Sequence, residues 1–155
     1  MKNKTIRKSR FTLIELLVVI GIIGILTGIL LPAISGSMTE GKKTKAAASA
    51  RQVASAVEAY LNEYGSLPKA DDGNDTNGSS ATVDSTLLGI LGGNNARSRS
   101  FFDNTGTLKD PWNQDFRISM DGNYDNEVLG NGSTVAGSVA VWTTYDGDTI
   151  GSWEK

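Results

Sequence analysis

A chain of 155 residues with a formal net charge of −2, no cysteine and no histidine leaves out several kinds of protein at once. Ser-His-Asp and Cys-His catalysis are excluded, zinc and copper sites are disfavoured, and no disulfide can staple the fold. The charge is unevenly placed: Lys2, Lys4, Arg7, Lys8 and Arg10 stand before residue 11 with no acidic residue among them, leaving 10 basic against 17 acidic residues, a net of −7, for the remainder. That balance argues against nucleic acid as a partner, since binding phosphate takes a basic face.

From Phe11 to Leu31 the chain is almost wholly apolar. About 20 such residues at about 1.5 Å each match the ~30 Å hydrocarbon core of a bilayer. The basic residues before the run hold the N-terminus in the cytoplasm and send the chain beyond Leu31 across the membrane. A secretory signal would have a shorter core and a small-residue cleavage site, whereas this run continues to Leu31-Pro32-Ala33. One carboxylate, Glu15, interrupts it near its polar edge. A charge there costs a few kcal/mol, so Glu15 is either a functional group that meets a partner or a side chain reaching back to the headgroups. Gly24 and Gly28 form a small-xxx-small pair that lets helices approach closely, lipid-facing glycines being the plain alternative. Pro32 predicts a kink.

The basic leader, Phe11-Thr12-Leu13-Ile14-Glu15 and the apolar helix together resemble the class III signal of type IV pilins and type II secretion pseudopilins. The resemblance implies cleavage between Arg10 and Phe11 by a prepilin peptidase, with methylation of the new amino group on Phe11. The family has glycine before the cut where this chain has Arg10. Glu15 becomes the fifth mature residue, where the family keeps a glutamate, and Phe11, Glu15, Gly24 and Pro32 fall at positions used in assembly. Family filaments can lose helical structure between such a proline and the upstream glycine.

Beyond Ser35 the pattern turns amphipathic: Ala46, Ala50, Val53, Val57, Tyr60 or Leu61, and Tyr64 recur at three- and four-residue steps. This predicts one helix from Phe11 to about Tyr64, roughly 80 Å at 1.5 Å per residue, capped by Gly65 and stopped before Pro68. Lys42, Lys43 and Lys45 read as a solvated helix face or a lipid-headgroup contact. Lys69 to Thr82, rich in Asp, Asn, Gly and Ser, reads as an exposed, mobile loop. Asp84 caps a short helix with Leu87, Leu88, Ile90 and Leu91, ended by Gly92 and Gly93. Phe101 and Phe102 are expected to anchor against the core, with Arg97 and Arg99 facing solvent or neighbouring subunits. Strands are predicted over 116–120 and 138–144, with a weak one near Glu127 to Leu129 completing a small antiparallel sheet.

Asp110-Pro111-Trp112 followed by Phe116 resembles the Asp-Pro-Trp-Gly-x-x-Tyr signature of major pseudopilins, with Asn113 in place of the glycine and Phe116 in place of the tyrosine. Asp110 and Pro111 would make a rigid turn, and Trp112 a core anchor. Asp121, Asn123 and Asp125 alternate as in the first half of an EF-hand loop, but glycine and the bidentate glutamate are missing where needed, so a hairpin turn is the simpler reading. Tyr145 to Thr149 falls where the resembling pseudopilins bind calcium, which implies Asp146 and Asp148, with Asp125, as ligands.

The expectation is thus an α+β pilin fold with a long N-terminal helix on a small C-terminal antiparallel sheet. It divides into a basic leader at 1–10, the transmembrane half of the helix at 11–34 and a soluble periplasmic domain at 35–155. The function implied is that of a non-enzymatic pseudopilus subunit, anchored in the inner membrane and polymerising with copies of itself. Its partners would be the prepilin peptidase, an inner-membrane assembly platform, minor pseudopilins and lipid. A surface type IV pilin for adhesion, motility or DNA uptake is the alternative, which the lack of cysteine disfavours. A membrane-anchored hydrolase would need a carboxylate pair or a Ser-Lys arrangement, and no spacing singles one out.

Overall fold

The computed structural model describes residues 11–68, 82–103 and 107–153, and for 31–35 the backbone only. Arg10 with the rest of the leader, residues 69–81 of the polar loop expected from Lys69 to Thr82, and the side chain of Pro32 lie outside the described residues. Chain contacts divide into two units, one ending at Glu40 and one beginning at Gly41. Helix α1, Leu13–Tyr64, contributes to both, and its backbone is helical throughout.

In the first unit, α1 holds an 18-residue stretch, Leu13–Leu30, long and apolar enough to cross a membrane, and its residues are exposed among the described residues. Its one mid-segment hydroxyl is satisfied locally: Thr27 Oγ1 donates to the Ile23 carbonyl at 2.7 Å, so the apolar stretch carries its hydroxyl paired within the helix.

The second unit is built on the other half of α1. Ala46, Ala50, Val53 and Val57 are fully buried on the stripe that the heptad-like spacing predicts. The helix ends on Gly65, whose positive φ of 69° lets its amide reach the Leu61 carbonyl at 2.7 Å. Helix α2, Ser85–Leu91, is capped by Asp84, whose carboxylate accepts from the Leu87 amide, and buries Leu87, Leu88 and Leu91. Strands β1 (Arg117–Met120), β4 (Val139–Tyr145) and β5 (Asp148–Gly151) form an antiparallel sheet in the order β1-β4-β5. The buried stripe of α1, the three leucines of α2, and Phe116, Ile118, Val139, Val141 and Ile150 make one core.

Strand β2, Glu127–Gly130, does not join that sheet as the sequence pattern suggested. It pairs instead with β3, Ser133–Ala136, across the two-residue turn Asn131-Gly132. Both turn residues have positive φ, 48° and 83°, the combination that lets a two-residue hairpin follow the twist of its strands. Val128 and Val135 of this hairpin pack with Ala140, Trp142 and Trp153 into a second, smaller core. Because alternate side chains of a strand face opposite ways, β4 serves both cores and is buried from Val139 to Thr143.

Candidate functional site

The head of α1 is where the chain's least expected charge stands. Thr12 precedes the helix, and its carbonyl accepts the first helical hydrogen bond from the Leu16 amide. Glu15 lies three residues on. The Thr12 amide and hydroxyl both donate to Glu15 Oε2 at 2.8 Å, and the Glu15 amide donates to Thr12 Oγ1 at 3.3 Å. This is a capping box, in which two otherwise orphaned amide donors are satisfied reciprocally. The negative charge also sits at the positive end of the helix dipole. Glu15 is therefore held by its own helix, and that lowers the cost of carrying it at the edge of an apolar segment. Oε1 accepts no hydrogen bond among the described residues. Phe11, Ile14, Val18 and Val19 line a shallow groove around the carboxylate, and all of them are exposed.

No protein-family model, curated protein or solved structure matches this chain.

Of the residues expected to serve assembly, Phe11 and Glu15 come together at this head, while Gly24 lies further along α1 with open space where a Cβ would stand. Among the described residues outside its own turn of helix, nothing comes within 4 Å of that position.

The residues expected to bind metal are not gathered. Asp146 and Gly147 form a two-residue turn between Tyr145 and Asp148 of the β4–β5 ladder. Asp148 Oδ2 lies 2.6 Å from Lys43 Nζ on α1. Asp125 belongs to a separate turn, where it accepts from the Glu127 amide and the Asn123 side chain. Among the described residues no group of three His, Cys, Asp or Glu side chains is placed to hold a metal ion.

Asp121 does more than open a turn. It is 3 % exposed, and its carboxylate accepts from the amides of Asp125 and Asn126 at 3.1 and 2.7 Å. The turn joins strands of different sheets, so it is not a hairpin. Asp110 is likewise buried. Its carboxylate accepts from the amides of Trp112 and Gln114 and from Thr143 Oγ1, at 2.9, 2.7 and 2.6 Å. Asn113, where the resembled signature has glycine, has a φ of 67°, a left-handed backbone that asparagine tolerates better than most residues. Trp112 is half-buried and stacks on Tyr145, ring centroids 4.2 Å apart. Asp110, Trp112 and Phe116 are thus structural: they fix the entry to β1 against β4.

Arg97 and Arg99 are exposed to solvent as expected, and their guanidinium groups also lie 2.5 and 2.8 Å from the two carboxylate oxygens of Glu63 on α1. These two hydrogen bonds, Arg97 first, lower the Glu63 pKa below the ordinary glutamate value. Two further features have sequence signals that the hydrophobic pattern alone does not bring out: the Thr12-x-x-Glu15 capping box and the Asn131-Gly132 hairpin turn.

Proposed function

We propose that the chain is a structural subunit of a type II secretion pseudopilus, anchored in the inner membrane by α1 with its globular unit in the periplasm. The observation that carries this reading is a single helix that is apolar and unburied over Leu13–Leu30, bears one capped carboxylate at its head, and continues without interruption into the core of a small α+β unit. An unburied apolar helix needs lipid or other helices around it, and one that can exchange the first for the second is suited to leaving a membrane for a filament. Processing between Arg10 and Phe11 would free an amino group beside Glu15. The free amine of an incoming subunit, offered to Oε1 of Glu15, pairs opposite charges in low dielectric and fixes the stagger between copies, with desolvation limiting the net gain. Filament growth on an assembly platform would then push folded substrates outward.

Deleting the gene and comparing secreted proteins, surface filaments and twitching tests the reading. Lost secretion with unchanged surface fibres is the expected result. An intact secretome with fewer surface fibres would instead assign the chain to surface pili.

A further inference from the structure

The turn between β4 and β5 is where the sequence resemblance implies calcium, and its geometry suits a cation supplied by the chain itself. We propose that Lys43 holds the place a metal would take, tying this turn to α1 without calcium. Calcium takes six to eight oxygen ligands, and the donor set does not meet that demand. Only Asp146 and Gly147 separate the paired residues Tyr145 and Asp148. Their φ angles of 52° and 84° close the ladder as a tight turn, so there is no loop to wrap an ion. One oxygen of Asp148 is on the Lys43 ammonium at 2.6 Å. Asp125, the third expected ligand, engages both its oxygens inside its own turn.

The lysine does what a bound ion would do in one respect: it brings positive charge to the turn. It differs in being covalently part of α1. The contact joins positions 105 apart in sequence, linking the helix that begins the globular unit to the hairpin that closes its sheet. Lys43 is more sheltered than its partner, with side-chain exposures of 29 % and 64 %, so the pair is partly screened by solvent and of moderate strength. This tie is internal to one chain and does not depend on polymerisation.

The test uses the full-length chain in detergent micelles. Thermal unfolding is followed by circular dichroism, with calcium and then with chelator, for the wild type, Lys43→Met, Asp148→Asn, the double variant and Lys43→Arg. The wild-type curves should coincide. Lys43→Met and Asp148→Asn should each lower the melting temperature by about 1–5 °C, the range a surface pair commands in a domain of this size. The double variant should melt no lower than the weaker single one, and Lys43→Arg should keep the wild-type value. Terbium luminescence sensitised by Tyr145 should stay at baseline. A rise in the wild-type melting temperature with calcium, a terbium signal that Asp148→Asn abolishes, or full additivity of the two single losses would overturn the proposal.

Discussion

Trp153 rests on two residues that have no side chain. A Cβ added to Gly130 or to Gly151 would stand 2.7 Å from its ring, well inside contact distance, and the ring meets Trp142 edge-on at 6.1 Å. Gly130→Ala and Gly151→Ala should each destabilise the protein by about 1–3 kcal/mol through overpacking, read as a shift in denaturation midpoint. Adding Trp153→Ala should remove most of the extra cost of either. Gly130→Ala should keep a small residual cost in that background, because its Cβ would also stand 3.0 Å from Val135 Cγ2; a loss at Gly151→Ala that Trp153→Ala leaves undiminished would show that the clash lies elsewhere. Asp110 offers a second residue-scale measurement. Removing a buried carboxylate that accepts three hydrogen bonds leaves two amides and a hydroxyl unpaired, so Asp110→Ala should cost about 2–4 kcal/mol, and Thr143→Val distinctly less. Glu63 predicts a pH dependence. Its folded-state pKa is lowered by Arg97 and Arg99, so its contribution is complete above the unfolded glutamate pKa and is lost as pH falls through the folded value. The melting-temperature gap between wild type and Glu63→Gln should be constant near neutrality and close on acidification; a gap that persists undiminished to the acid limit would rule this out.

Among the elements, α1 is the most legible in the sequence and the sheet the least. The periodicity of Ala46, Ala50, Val53 and Val57 and the stop at Gly65 place the helix end where it is found, because a helix stripe repeats many times and averages out exceptions. Strand pairing has no such redundancy. β2 and β3 are four residues each, and what marks them is a two-residue Asn-Gly turn rather than any hydrophobic run. Strand β5 is hidden for the same reason, behind Asp146-Gly147, which resembles an ending as much as a hairpin. Arg97 and Arg99 are unreadable as partners of Glu63 because the contact spans a helix end and a loop, and no spacing rule connects them. At the head of α1 the charge stands out against its apolar neighbours, and the threonine that caps it does not. Thr12→Val, which keeps shape and deletes the hydroxyl, should loosen the helix start by about 1 kcal/mol, seen as faster amide exchange over the first turn. Glu15→Ala should still insert and be processed, and fail to assemble; filament yield equal to wild type would remove Glu15 from assembly. Processing itself is read by mass spectrometry of the extracted protein, which should begin at Phe11, with Arg10→Gly raising the cleaved fraction. A chain that always begins at Met1 would contradict it.

For the whole molecule, one helix belongs to two solvents. The apolar stretch of α1 needs apolar surroundings that the described residues do not supply, and the stripe from Ala46 to Val57 needs the cover of α2 and the sheet. The second condition is met late. Ile118 lies about seventy residues beyond Ala50, and Val141 and Ile150 about ninety to a hundred, so synthesis delivers the helix long before its cover. Contacts this distant in sequence form slowly, since the intervening chain must first be ordered. Until β1, β4 and β5 follow, the stripe has only the leucines of α2 to pack on, and much of it stays an uncovered amphipathic helix. The same interval is when it is open to proteases and to wrong partners, so variants that slow the closing of β5 should be lost to degradation in cells well before their equilibrium stability, measured on purified protein, looks poor.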